Sequence, residues 1–273
     1  MSEELEKIEI QLLLEGIFLR YGFDFRDYAF SFLKRRIWNR IHAEKLRSIS
    51  ALQEKVLHDS RAMERLLNDF SINVTEMYRD PNFFLSFRKK VIPRLQDFPY
   101  IRIWLAGCAT GEEAYSIAIL LHEQGLYEKT KIYATDMHEG LLKVAKQGIF
   151  PLDRMRIYTK NYLQSGGTKA FSEYYTAKDN YVTFHPYLMK NVIFAQHNLA
   201  TDRSFNEFHV IFCRNVMIYF NKFLQNNVHS LIYESLSLQG YLGLGNREGI
   251  KFTNYGEFYE EVDSKERLFR KIK

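Results

Sequence analysis

The chain has 273 residues, 46% of them hydrophobic, with a formal charge of +5 and a pI near 9.0, enough for one main domain with a smaller one beside it. No apolar run approaches the roughly 18 residues of a membrane span, and the opening MSEELEKIEI is acidic, unlike a signal peptide, so a soluble cytoplasmic protein without membrane insertion is expected. Two cysteines, Cys108 and Cys213, exclude a disulfide framework, no CxxC or His/Cys cluster points to a metal, and the positive charge suits a nucleic acid or an acidic protein equally.

The first seventy or so residues read as helices. Asp27 to His42 places Phe30, Leu33, Ile37 and Ile41 on one face and Lys34, Arg36 and Arg40 to the side, with no acid between residues 28 and 43. That basic face is either solvated or turned to a partner. A second amphipathic segment, Leu52 to Phe70, is expected to pack behind it. In Ser71 to Pro81 (SINVTEMYRDP) serine, asparagine and threonine break the helical pattern, and Asp80-Pro81 reads as the cap and first residue of another helix.

Arg102 to Ala118, RIWLAGCATGEEAYSIA, reads as a strand, a glycine turn at Gly107 and Gly111, and a helix start. A turn without Cβ lets a ligand lie against the backbone. Phosphate is the usual guest, but Glu112 and Glu113 follow in place of a lysine, and acids favour a cation. The next strand, Lys131 to Thr135, ends on Asp136, where a doubly wound sheet places an acid against a ribose diol. A glycine turn, acids and no phosphate-binding residue together point to S-adenosylmethionine, a sulfonium without phosphate.

Phe150 to Met189 leaves the strand and helix alternation. It holds Gly166-Gly167 and many aromatics, with a strand expected at Asn180 to His185, and reads as an insertion packed on its own domain. Apolar strands follow at Asn191 to Ala195 and His209 to Cys213, then a helix Lys222 to Leu238, a glycine turn and a strand Tyr241 to Leu244. The C-terminal stretch from Glu257 reads as two short strands.

NVTEMYRDP, GCATGEEAYS, YATD and FCRNVMIYF, in this order, resemble the chemotaxis receptor methyltransferases, the CheR family, from about residue 10 to about residue 245. The resemblance implies a helical N-terminal domain over 1–75. A Rossmann-like α/β S-adenosylmethionine-dependent methyltransferase domain would follow over 76–273, with a small inserted β-subdomain at about 150–190. It implies methylation of glutamate side chains on the cytoplasmic helices of chemoreceptors, giving methyl esters and S-adenosylhomocysteine. Asn73, Thr75 and Arg79 match positions that contact the cofactor, Glu113 an acid near its amino-acid end, and Asp136 the acid on the ribose hydroxyls. Asn198 and Leu199 match the adenine side of the pocket, and Arg214 and Asn215 complete it. Arg36 and Arg40 would face the receptor. GLGNREG departs from the family's Gly-His-Ser-Glu pattern, because Asn246 and Arg247 stand where His and Ser are usual.

A glutamate side chain, with an ordinary pKa of about 4.3, is ionised at neutral pH and needs no general base. In-line placement of carboxylate oxygen, methyl carbon and sulfur is what remains, and the catalytic roles fall to Arg79, through its planar fork, and Tyr219, through one hydrogen bond. A nucleic-acid methyltransferase would carry an Asn/Asp-Pro-Pro-aromatic loop after the fourth strand, where this chain has Cys213-Arg214-Asn215-Val216, so no nucleic acid is expected. Another acceptor on the same fold, or a cofactor-binding scaffold without activity, is the alternative. The protein is expected to be a monomer.

Overall fold

The computed structural model describes residues 3–71, 75–251 and 253–273. Asn73 lies outside the described residues. The chain divides into two units, one of residues 3–71 with Tyr219–Val228 and one of residues 75–218 with His229–Lys273.

The helical unit holds α1 (Glu3–Tyr21), α2 (Phe30–Ala43), α3 (Ile49–His58) and α4 (Ser60–Phe70). Leu33, Ile37 and Ile41 are buried as their spacing requires, but Phe30 is 39% exposed and Phe32 takes the core place expected of it. The helix begins at Phe30, so that ring stands on its open first turn. The expected single segment over 52–70 is two helices. Asp59 adopts an extended conformation between them (φ −123°, ψ 107°) and its carboxylate accepts from Arg61 N, capping α4. Tyr219–Val228 joins this unit through antiparallel pairing of Tyr28 with Phe220, Ala29 N donating to Tyr219 O, and Asn221 Nδ2 donating to Asp27.

In the sheet unit α5 (Pro81–Ser86) passes through a wide π turn (Phe87–Val91) into α6 (Ile92–Leu95), where Pro93 has no N–H for the preceding turn. The main sheet is built from β1 (Ile101–Ala106), β2 (Thr130–Asp136), β6 (Val192–Gln196), β7 (Phe208–Cys213), β8 (Leu236–Leu244), β9 (Tyr259–Asp263) and β10 (Leu268–Lys271). Its order is β6-β2-β1-β7-β8-β10-β9. The first five run parallel and β10 runs antiparallel to both neighbours. α7 (Glu112–Glu123) and α8 (Glu139–Gln147) pack on β2, and α10 (Lys222–Ser235) feeds β8. The strand expected from Tyr241 begins at Leu236. The expected glycine turn is an irregularity within it, between the pairs Phe208–Leu236 and Val210–Tyr241, with Gln239 at φ 65°.

Between α8 and β6 the insertion forms a second sheet, β3 (Ile149–Pro151), β5 (Tyr181–Phe184) and β4 (Tyr175–Lys178) in that order, with α9 (Met155–Gln164). Phe150, Tyr158, Tyr162, Phe171, Tyr174 and Phe184 belong to the same core cluster as β1 and α7, so the aromatic-rich stretch packs on its own domain. Glu123 of α7 ties it down by accepting from Tyr162 Oη, Tyr174 Oη, Thr168 N and Arg88. Among the described residues no helix is long and apolar enough to cross a membrane.

Candidate cofactor and methyl-transfer site

Because β6, β2, β1 and β7 are parallel, their carboxyl ends lie on one edge of the sheet, and strand order reverses between β1 and β7, where such sheets hold ligands. After β1 the chain turns at Gly107 (φ 76°), Ala109 (φ 47°) and Gly111 (φ 95°). A Cβ at Gly107 would stand 2.5 Å from Val216 Cγ2, and one at Gly111 2.9 Å from Ala145 Cβ. The glycines therefore answer to backbone conformation, to the loop at Val216 and to helix α8 at Ala145, as well as to any ligand.

Asp136 closes this turn from the end of β2. Its Oδ2 accepts from Ala109 N at 3.0 Å and its Oδ1 from His138 N at 2.9 Å. Burial pushes its carboxyl up, against the N–H groups that favour the ionised form. At the end of β6, Asn198 Oδ1 accepts from Ala200 N and Asn198 N donates to Asp202, a tight turn that leaves Asn198 and Leu199 half-buried. His138, which sequence reading passed over, is buried and caps α8, its Nδ1 accepting from Gly140 N.

The two acids of α7 separate. Glu112 is 6% exposed, accepts from Thr110 Oγ1 and Tyr158 Oη, and burial pushes its carboxyl up. Glu113 accepts from Arg214 Nη1 at 2.7 Å. The cation-favouring field expected of an acid pair is thus reduced to one carboxylate that already carries a counter-ion.

Arg214, with its side chain 2% exposed, gathers more than Glu113. Nη2 donates to Asp80 Oδ2 and to Arg79 O, both at 3.0 Å, while the guanidinium lies over the Phe83 ring at 4.0 Å. Asp80 stands at the helix start expected of it, but in the left-handed region (φ 58°), and its carboxylate makes no cap. Tyr78 N donates to Ser116 Oγ, so residues 78–80 are pinned to both α7 and the loop after β7. Thr75 and Arg79 are half-buried on this stretch.

The loop after β7 continues through Asn215, at φ 61°, to Met217. Glu248, which sequence reading left without a role, is 6% exposed and accepts from four backbone N–H groups, those of Gly245, Asn215, Val216 and Met217. Asn246 lines a shallow cleft with Asp80, Asn82, Lys265 and Glu266, and Arg247 is exposed. Cys108 and Cys213 are free and buried, and burial pushes both thiols up.

The other named residues belong to the helical unit. Tyr219 packs its ring 5.1 Å from that of Phe32, and the Arg36 guanidinium lies over the Phe32 ring at 5.7 Å. Arg40 turns inward, 16% exposed, donating to Asp69 and to Arg65 O, and Lys34 pairs with Glu6. Arg35 stays exposed and Arg36 half-buried, so the basic face of α2 is smaller than the residue count suggested.

A glycine turn, a half-buried acid at the end of the second strand and an acid at the start of the following helix define the class, a Rossmann-like methyltransferase fold with an all-helical unit before it. Residues 73–266 match the CheR methyltransferase SAM-binding domain, and residues 8–71 match the CheR methyltransferase all-alpha domain. The chain belongs to the CheR methyltransferase family. It is 47% identical to the Pseudomonas putida protein Cher3 over 99% of both chains. It is 29% identical to a chemotaxis protein methyltransferase of Borreliella burgdorferi, over 92% of this chain and 91% of that one. For the chemotaxis protein methyltransferase of Salmonella typhimurium the identity is 27%, over 89% and 84%.

The residues present fit S-adenosylmethionine. Asp136 would present a carboxylate already ligated by two backbone N–H groups to a diol, the positive-φ turn admits close approach, and Glu113, paired with Arg214, would present the remaining negative charge to an ammonium or sulfonium. Among the described residues no group of three or more His, Cys, Asp or Glu is placed to hold a metal.

Proposed function

We propose that this protein transfers the methyl group of S-adenosylmethionine to glutamate side chains on the cytoplasmic helices of chemoreceptors, giving glutamate methyl esters and S-adenosylhomocysteine in sensory adaptation. The observation that carries this reading is the succession of both CheR domains along one chain, over 8–71 and 73–266. Relatives named chemotaxis protein methyltransferases support it.

S-adenosylmethionine, when bound, supplies an electrophilic methyl carbon on a positively charged sulfur. The glutamate carboxylate, already ionised, donates an electron pair to that carbon as the carbon–sulfur pair returns to sulfur. One negative and one positive charge cancel, and no proton moves. The protein's work is therefore placement, from which much of a bimolecular rate can come. Asp136 would hold the ribose hydroxyls, Glu113 the amino-acid end, and Asn198 and Leu199 the adenine side, with Thr75, Asn73 and Asn215 completing the pocket. Arg214, buried and paired with Glu113 and Asp80, would act on the cofactor through Glu113.

Arg79 would orient the attacking carboxylate and Tyr219 would donate one hydrogen bond to it. Too tight an Arg79 pairing would lower the basicity of the attacking oxygen, so orientation is its main part. Arg36 would meet acidic receptor helices, and Arg40 would support it from within the bundle. Asn246 and Arg247, in place of the family's usual His and Ser, favour a second reading in which the same chemistry serves a different protein acceptor.

The test is transfer of labelled methyl to chemoreceptor fragments followed by alkali. Methyl esters release volatile methanol and methylated amines do not. Volatile label is the expected result. Stable label would move the search to amine acceptors, and no transfer despite cofactor binding would favour another acceptor or an inactive scaffold.

A further inference from the structure

The carboxylate of Glu248 sits in the turn that follows β8, with backbone N–H groups as its partners. Oε2 accepts from Gly245 N at 2.7 Å and Asn215 N at 2.9 Å, and Oε1 from Val216 N at 2.9 Å and Met217 N at 2.8 Å. A carboxylate that is 6% exposed is costly to bury, and several N–H groups converging on it are what make burial tolerable. Three of the four belong to one short loop, the one that leaves β7.

That loop needs holding. Asn215 is in the left-handed region (φ 61°), uncommon for a residue with a Cβ. On one side of it Arg214 reaches Glu113 and Asp80, and on the other Val216 Cγ2 fills the space where Gly107 would carry a Cβ. A shift of the loop therefore moves both the counter-ion of Glu113 and the wall of the glycine turn.

We propose that Glu248 is a positioning residue of the methyl-transfer site, gathering the N–H groups of Gly245, Asn215, Val216 and Met217 so that the loop after β7 holds Glu113 and the Gly107 turn in cofactor-binding geometry. This rests on the cofactor reading above. Glu248 touches neither cofactor nor acceptor in this role and acts through the loop.

Glu248→Gln keeps the shape but turns one accepting oxygen into an NH2 group that faces backbone donors. Calorimetric titration with S-adenosylhomocysteine should show a dissociation constant raised at least about tenfold, the order expected when buried donors lose their acceptor. Transfer to chemoreceptor fragments should show an acceptor KM changed less than about twofold, and amide exchange should quicken at residues 215–217 while β1 stays protected. A merely structural role would lower the fraction of folded protein and leave the dissociation constant unchanged, and that result overturns the proposal.

Gly245→Ala is the second variant, since its Cβ would stand 2.7 Å from Glu248 Oε2 and 2.8 Å from Asn215 N, displacing the carboxylate without removing its charge. It should weaken S-adenosylhomocysteine in the same direction, and wild-type affinity there overturns the proposal even where Glu248→Gln does not fold. Failure of the wild-type chain to bind S-adenosylhomocysteine would instead overturn the cofactor reading, and this inference with it.

Discussion

Arg214 Nη1 stands 2.7 Å from Glu113 Oε2, tying the residue after β7 to the first turn of α7 across 101 positions of sequence. Removing Arg214 takes the counter-ion from two half-buried carboxylates, Glu113 and Asp80, at a cost of about 1–3 kcal/mol. Arg214→Met should lower stability to denaturant by that order and weaken S-adenosylhomocysteine binding. The double variant with Glu113→Gln should lose less stability than the sum of the single ones. Additive losses in denaturation would show that the pair does not couple.

Asp136, proposed above to hold the ribose hydroxyls, should make cofactor binding sensitive to acid. Burial raises its carboxyl above the usual aspartate value of about 3.9, so it takes up a proton at a higher pH than an exposed aspartate. The ionised form is the one that accepts N–H groups and would accept ribose hydroxyls. Affinity for S-adenosylhomocysteine should therefore be full at neutral pH and fall as pH drops through the raised value. Asp136→Asn should bind weakly and lose that limb, and a limb persisting in the variant would assign the titration elsewhere.

Arg79→Ala should remove most methyl transfer while leaving S-adenosylhomocysteine binding measurable by calorimetry. Unchanged turnover would take Arg79 out of the reaction.

Charge on α2 can be reversed at exposed Arg35 and half-buried Arg36, which lies over the Phe32 ring, without touching the ion pairs Lys34–Glu6 and Arg40–Asp69. Arg35→Glu with Arg36→Glu should slow transfer to receptor fragments and flatten its dependence on salt, with cofactor affinity unaltered. Transfer that keeps its rate and salt dependence would remove this helix from the receptor interface.

Glu44 links helical stability to pH. It is held by Arg65 and Lys55, with Arg65 the larger influence, and its pKa falls to about 2. A carboxyl lowered in the folded state stabilises above its unfolded value, near 4.3, and loses that contribution as pH falls towards about 2. Glu44→Gln should melt earlier than wild type at neutral pH, with the two melting temperatures converging between about pH 4 and pH 2. A constant gap across that window would refute the linkage.

Much of the sheet unit was legible because its signals are local. Gly107, Gly111 and Asp136 carry their conformational and chemical demands in their own identities, and the strands around them alternate or run apolar as buried parallel strands must. What escaped depends on partners distant in sequence. Asp80 has the residue type of a cap, yet Arg214 claims its carboxylate. Arg40 looked like surface charge until Asp69 and Arg65 O lay beside it. Glu248 gave no sign that its acceptors would close on three consecutive N–H groups after β7. The break at Asp59 could have been found, since Asp-Ser before a new amphipathic turn is a start signal that outweighs the continuity of apolar residues.

The pairing of Tyr28 with Phe220, and of Asp27 with Asn221 across 194 positions, bears on the order in which the chain can mature. As the polypeptide leaves the ribosome, α1 to α4 emerge early, but the segment that completes them arrives only after most of the sheet unit has been made. Contacts of such long span are slow to form. The first helices must wait, with the Tyr28 and Phe32 rings lacking their late partners Phe220 and Tyr219, so the nascent chain keeps these aromatic faces uncovered until Tyr219–Val228 is translated.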